Sequence, residues 1–168
     1  MGDWDSTMLS GPEGEDWRVP VSELTSRLER LAQALRVAAL PGALIQHPVD
    51  LYYFAGGRQD GSLYVPAEGT DGDGPVFFVR RSLKRACFEA GADNAPFQLE
   101  PFPRLREFAD VLKARGASGA PGLQFGELPS SFVQRFSSAL SSLGECKDVT
   151  GIIHRLREVK SPWEQEQM

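Results

Sequence analysis

The chain has 168 residues, 41% hydrophobic and 24% charged, with a formal net charge of −5; this is the composition of an ordinary globular chain long enough to bury a full core. The acids Asp3, Asp5, Glu13, Glu15 and Asp16 precede the first base, Arg18, and beyond them 18 acids balance 18 bases; a neutral body lacks the basic face that nucleic acid requires. No apolar run approaches the roughly 20 residues of a membrane span, and no basic segment leads into an apolar one as in a signal peptide.

The acidic start predicts a solvated, flexible tail over residues 1–20, with Trp4 and Trp17 as its only docking candidates. Ser22 then reads as the cap of a helix that carries Leu24, Leu28, Leu31, Ala32 and Leu35 at helical spacing. Pro41-Gly42 breaks the chain, and the continuous apolar run Ala43-Leu44-Ile45 fits a strand buried on both faces. His47-Pro48 ends that strand. Leu51-Tyr52-Tyr53-Phe54 forms an aromatic cluster stopped by Gly56-Gly57. Residues 61–66 and 76–79 read as two strands of a hairpin joined by the turn-rich stretch 68–74.

Ser82 caps the next predicted helix, which places Leu83, Ala86, Cys87 and Ala90 on one face and Gly91 just past its end. A short strand bounded by Pro96 and Pro101 follows, then a helix over residues 104–115 that turns Leu105, Phe108, Val111 and Leu112 inward. Leu123-Gln124-Phe125 reads as a fifth strand. Residues 130–142 read as a helix with Phe132, Phe136 and Leu140 at four-residue spacing, and residues 145–149 as a sixth strand. Thr150 is the expected cap of a helix that carries Ile152, Ile153 and Leu156. Ser161, with Pro162 at the first helical position and Glu164 three residues after the cap, predicts a further helix opened by a capping box. A capped helix that stops within two turns implies an amino-terminal piece of a longer protein. Helix–strand alternation interrupted by a hairpin gives an α/β domain with a mixed sheet and helices on both faces.

Few residues signal chemistry. His47 and His154, the only histidines, have no ligand at metal-binding spacing, and neither Cys-x-x-Cys nor His-Glu-x-x-His occurs. His154 reads as a surface side chain. His47 reads as a loop residue or, more sharply, as a substrate contact. Asp71 and Asp73 fit a cation or a polar hairpin loop, and Gly72 and Gly74 fit a turn. Arg80, Arg81, Lys84 and Arg85 read as a solvated face. Cys87 and Cys146 read as reduced thiols, the usage of a cytoplasmic protein. Arg58, between Gly57 and Asp60, reads either as a surface arginine or as a guanidinium placed to clamp a carboxylate.

Three segments together carry a family resemblance. Ala43-Leu44-Ile45 with Asp50-Leu51-Tyr52-Tyr53-Phe54-Ala55-Gly56 resembles the strand and the Asn-Ile-x-Tyr-Leu-Thr-Gly stretch in the amino-terminal domain of the creatinase/prolidase/Xaa-Pro aminopeptidase (pita-bread) metallopeptidases. Asp50, Phe54 and Ala55 depart from that wording. Arg81-Ser82-Leu83 through Glu89-Ala90-Gly91 is similar in layout to the helix after the central hairpin. Ile153-x-x-Leu156-Arg157-x-Val159-Lys160-Ser161-Pro162-x-Glu164 resembles the linker into the catalytic domain, and it is the most specific of the three.

The resemblance implies a three-layer domain with a six-stranded mixed sheet and a ribonuclease-H-like motif. The strand count above is also six. It implies a domain over residues 21–160 and, from 161 to 168, the start of a linker helix into a pita-bread catalytic domain. The Asp, Asp, His, Glu, Glu set for two divalent ions (Mn, Co or Zn) would lie in that second domain, so this chain is expected to hold no catalytic or metal-binding residue of its own. It further implies a homodimer in which this domain roofs the neighbouring subunit's active site over a peptide substrate, with Arg58, Phe54 and His47 lining the partner's pocket. Two other readings are an interaction module of a homologue that has lost its metals and a free-standing flavodoxin-like ligand-binding domain; the latter predicts a phosphate loop that the sequence lacks.

Overall fold

The computed structural model describes residues 16–69 and 74–168. In chain order these form α1 (Val21–Val37), β1 (Gly42–Ile45), α2 (Pro48–Ala55), β2 (Gly61–Pro66), β3 (Val76–Val79), α3 (Leu83–Glu89), β4 (Gln98–Pro101), α4 (Phe108–Ala114), α5 (Ser130–Ala139), α6 (Thr150–Glu158) and α7 (Pro162–Glu166). Short 3-10 turns cover Ala92–Asn94, Leu105–Glu107 and Ser141–Leu143. Most of the expected tail, together with Asp71, Gly72 and Asp73, lies outside the described residues.

The strands form one sheet in the order β1-β2-β3-β4. β1 and β3 each run antiparallel to β2, in registers that set Leu44 against Tyr64 and Leu63 against Phe77. β4 runs parallel to β3, with Phe77 against Leu99, so the sheet is mixed. Every residue of β1, β2 and β3 is buried, and the two-residue period of a strand sorts them into two cores. Ala43, Ile45, Leu63, Val65, Phe77 and Val79 meet Leu28, Leu31 and Leu35 of α1, Phe54 of α2 and Ile153 of α6. Leu44, Tyr64, Val76 and Phe78 meet Phe108 and Leu112 of α4 and Phe136 of α5. Helices therefore cover both faces of the sheet.

The sheet has four strands, not six. The expected fifth and sixth strands are each reduced to an isolated bridge, Ala43 with Gly122 and Leu123 with Asp148, both parallel. The backbone bonds of a ladder begin here, from Leu44 N to the Gly122 carbonyl and from Leu123 N to the Lys147 carbonyl. Pro121 can donate no bond of its own. One residue past Leu123 the Gln124 side chain, not the backbone, takes the Gln46 and His47 N–H groups. Phe125 N turns back onto the Leu123 carbonyl. A side chain has replaced the ladder, and the strand ends.

Two helix caps also differ from expectation. Pro20 occupies the cap position of α1 and Ser22 lies inside the helix. Val149 precedes α6, and the Thr150 N–H donates to Asp148 Oδ1 instead of Thr150 capping the helix. The helix expected from residue 104 opens as the 3-10 turn and becomes α-helical at Phe108. Ser82 does cap α3, and Ser161 with Glu164 completes the capping box of α7.

Candidate functional site

The residues with chemical potential gather around α2. Pro48 begins this helix and Gly56 ends it at φ +73°, a left-handed conformation that favours glycine. Along its eight residues the helical period turns Leu51, Phe54 and Ala55 into the core and leaves Val49 and Tyr52 half exposed, at 49% and 44%.

At the carboxyl end of α2 the chain lies flat on α3. A Cβ on Gly57 would stand 2.2 Å from Glu89 Oε2, so only glycine allows this approach. Glu89 is almost fully buried; one of its oxygens holds the loop and the other is held by an arginine of its own helix. Oε2 accepts from Arg58 N at 3.1 Å, and Oε1 pairs with Arg85 Nε at 2.6 Å. The Arg58 side chain is exposed and makes no ion pair with any described residue. It stands at a cleft of about 460 Å³ whose wall includes Val49, Leu51, Tyr52, Gln59 and Asp60. An unpaired guanidinium beside an aliphatic and an aromatic side chain suits a ligand with a carboxylate and an apolar body.

Phe54, expected with Arg58 in a partner's pocket, is completely buried and packs edge-on against Tyr53 at 4.9 Å. Its face of α2 is the inner one, so in this chain Tyr52 is the aromatic residue beside Arg58. His47 does not line the cleft. Its Nδ1 lies 3.3 Å from Asp50 Oδ2 and its Nε2 lies 3.8 Å from Glu127 Oε2.

His47 belongs to a polar cluster at the amino end of α2. Asp50 is completely buried; its Oδ2 accepts from Gln124 Nε2 at 2.5 Å and its Oδ1 from Arg157 Nη1 at 2.8 Å. Gln46 Nε2 donates to Ser62 Oγ. Glu127 Oε1 lies 2.5 Å from His154 Nε2, so both histidines of the chain face a single carboxylate. These residues lie far apart in the sequence, just before α2, on α2, on β2, on the 122–129 turn and on α6, so no local spacing joins them. The one local signal was Gln124, a polar residue between Leu123 and Phe125 in an apolar run.

The basic cluster near α3 is more than a solvated face. Arg85 clamps Glu89, and the Arg80 guanidinium lies over the Phe102 ring at 3.7 Å. Burial raises the Cys146 thiol above its ordinary range, and both cysteines are free. Among the described residues no group of three or more His, Cys, Asp or Glu side chains could hold a metal ion. The donor set for a two-metal centre is therefore not assembled from them.

A mixed four-stranded sheet with helices on both faces is the class of fold seen in creatinase amino-terminal domains. The family model "Creatinase/Prolidase N-terminal domain" matches residues 27–159, and the chain belongs to this family. A curated relative, the Xaa-Pro dipeptidase of Pyrococcus furiosus, is 26% identical over 143 residues, covering 85% of this chain and 38% of the relative. Among solved structures, the Xaa-Pro dipeptidase from Bacillus anthracis superposes with a TM-score of 0.70 at 19% identity, over 85% of this chain and 38% of that one. The N-terminal domain of the cytoplasmic peptidase PepQ from Mycobacterium tuberculosis superposes with a TM-score of 0.60 at 20% identity, over 79% of this chain and 98% of that one. The chain thus spans well under half the length of the two dipeptidases. No described helix is long and apolar enough to cross a membrane.

Proposed function

We propose that this chain is the non-catalytic amino-terminal domain of a cytoplasmic, metal-dependent peptidase acting on Xaa-Pro peptides. The reading rests on the family match over residues 27–159 and on relatives named as Xaa-Pro dipeptidases. On this reading the hydrolytic metal site belongs to a following pita-bread domain, and no step of the reaction runs through the described residues of this chain. The domain's part is to build a homodimer and to cover the neighbouring subunit's active site. Arg58 contributes a guanidinium to the substrate carboxylate, with Val49 and Tyr52 beside it against the apolar part of the peptide. His47 supports the amino end of α2 instead of touching substrate.

The test uses the complete protein. Arg58→Ala should raise KM about tenfold or more, the effect of losing a charge-assisted hydrogen bond to a carboxylate, with kcat and bound metal unchanged. An unaltered KM removes Arg58 from the substrate. A monomer by analytical ultracentrifugation removes the role in the neighbouring subunit. Metal-dependent Xaa-Pro cleavage by residues 1–168 alone would overturn the assignment as non-catalytic.

A further inference from the structure

Asp50 occupies the first turn of α2, and its carboxylate is fully desolvated. Its two oxygens serve two distant parts of the chain, Gln124 at the sheet edge and Arg157 on α6. Gln124 in turn holds the backbone N–H groups of Gln46 and His47 through its Oε1, at 2.7 and 3.0 Å. The other titratable groups facing this cluster are His47 just before α2, Glu127 on the turn before α5 and His154 on α6. A buried carboxylate is tolerable only while its donors are in place, and removing its cation leaves an uncompensated charge.

Tyr53, three residues along α2, makes a second tie to α6 through its hydroxyl, 3.4 Å from the Leu156 carbonyl. α2 then passes directly into Gly56-Gly57-Arg58, where Glu89 fixes the backbone. One short helix therefore has α6 bonded to its first turn and the Arg58 loop attached to its last.

We propose that Asp50 is a positioning residue that couples α6 to the Arg58 loop. A change in how α6 is held, such as a load on the segment beyond Glu158, then reaches the cleft through the Asp50–Arg157 pair and α2. The importance of the cleft for substrate rests on the reading given above. The coupling does not depend on it, and it concerns energy shared between two places in one domain.

Hydrogen exchange on the 168-residue chain tests it. Arg157→Gln should accelerate exchange of the amides of residues 51–60 by roughly tenfold, although residue 157 lies on another helix. Arg155→Gln, on the exposed side of the same helix, should leave them unchanged. Asp50→Asn combined with Arg157→Gln should restore part of the protection, because the buried charge is gone. Acceleration confined to residues 150–158, or effects of the two substitutions that simply multiply, would overturn the coupling. If Arg157→Gln unfolds the chain, Arg157→Lys keeps the cation and should accelerate residues 51–60 less than Arg157→Met does; equal acceleration overturns the proposal. Arg58→Ala kinetics can fail while these exchange results stand, so the two ideas separate.

Discussion

The Asp148 carboxylate gathers three donors at the start of α6. Its Oδ1 accepts from the Thr150 hydroxyl at 2.5 Å, from Thr150 N at 2.9 Å and from Phe125 N at 3.1 Å. Partial burial alone would push its pKa up. The Thr150 hydroxyl, the Thr150 and Phe125 N–H groups and the nearby His154 outweigh this and hold it below the usual carboxylate range. A depressed folded-state pKa contributes stability above the unfolded value, about 3.9, and that contribution is lost as pH falls through the folded value. Asp148→Asn keeps an acceptor but loses the charge. It should therefore melt below the parent chain near pH 6, and the gap should close as pH falls from 4 toward 2. A gap that stays constant over that range would show that the charge of Asp148 does not stabilise the fold. The bonds to Asp148 also join the 122–125 turn to α6, which is the work the missing fifth and sixth strands would have done. No pattern of residue types announced this: Asp148 fell within the expected sixth strand, and its role appears only when Phe125 is brought against it.

Elements with a strong local signal were legible in the sequence. β1, β2 and β3 are apolar runs bounded by Gly and Pro, and α7 has its capping box written in Ser161, Pro162 and Glu164. In α7, Ser161 Oγ accepts from Glu164 N at 3.1 Å and Glu164 Oε2 accepts from Ser161 N at 2.9 Å. The helix is only five residues long, so its caps and its tertiary contacts, Arg27 foremost, hold it. Arg27, only 3% exposed, lies over the Tyr53 ring at 4.1 Å and reaches Glu164 at 3.4 Å. Ser161→Ala should lower local stability by about 1 kcal/mol, seen as several-fold faster exchange of the residue 164 amide with the midpoint of global unfolding unchanged. Unaltered exchange would mean that Arg27, not the cap, holds the turn. Less was legible where the decisive bond spans the chain. The facing of α2 depended on which stripe of an aromatic cluster met the core, so Phe54 was expected in the pocket while Tyr52 is the exposed one. The strand at 123–125 failed because Gln124 spends its side chain on another segment's backbone. Both outcomes depend on tertiary partners, not on spacing.

At the scale of the whole molecule, two cores share one sheet. Leu31 sits in the core beneath α1 and Phe136 in the core beneath α5, each essentially inaccessible to water. The sheet separates them by two layers of side chains, roughly 10 Å on each side, so their direct interaction is negligible. Leu31→Ala should cost about 2–5 kcal/mol and Phe136→Ala about 3–5 kcal/mol. Distant sites of this kind add to within about 0.5 kcal/mol. Their sum approaches the 5–15 kcal/mol that holds a domain of this size together. The two cores can nevertheless not melt separately, because β1, β2 and β3 are buried on both faces and losing either layer exposes the strands that support the other. With Trp4 and Trp17 replaced by Phe, Trp163, which faces Arg27 at 5.6 Å, reports on the α1 side. Phe136→Ala lies on the opposite face, yet it should lower the urea midpoint of tryptophan fluorescence by the same amount as that of far-UV circular dichroism. A fluorescence midpoint that stayed in place while the dichroism midpoint fell would mean that the α1 layer keeps its structure without the α5 layer, and that the sheet does not bind the two into one cooperative unit.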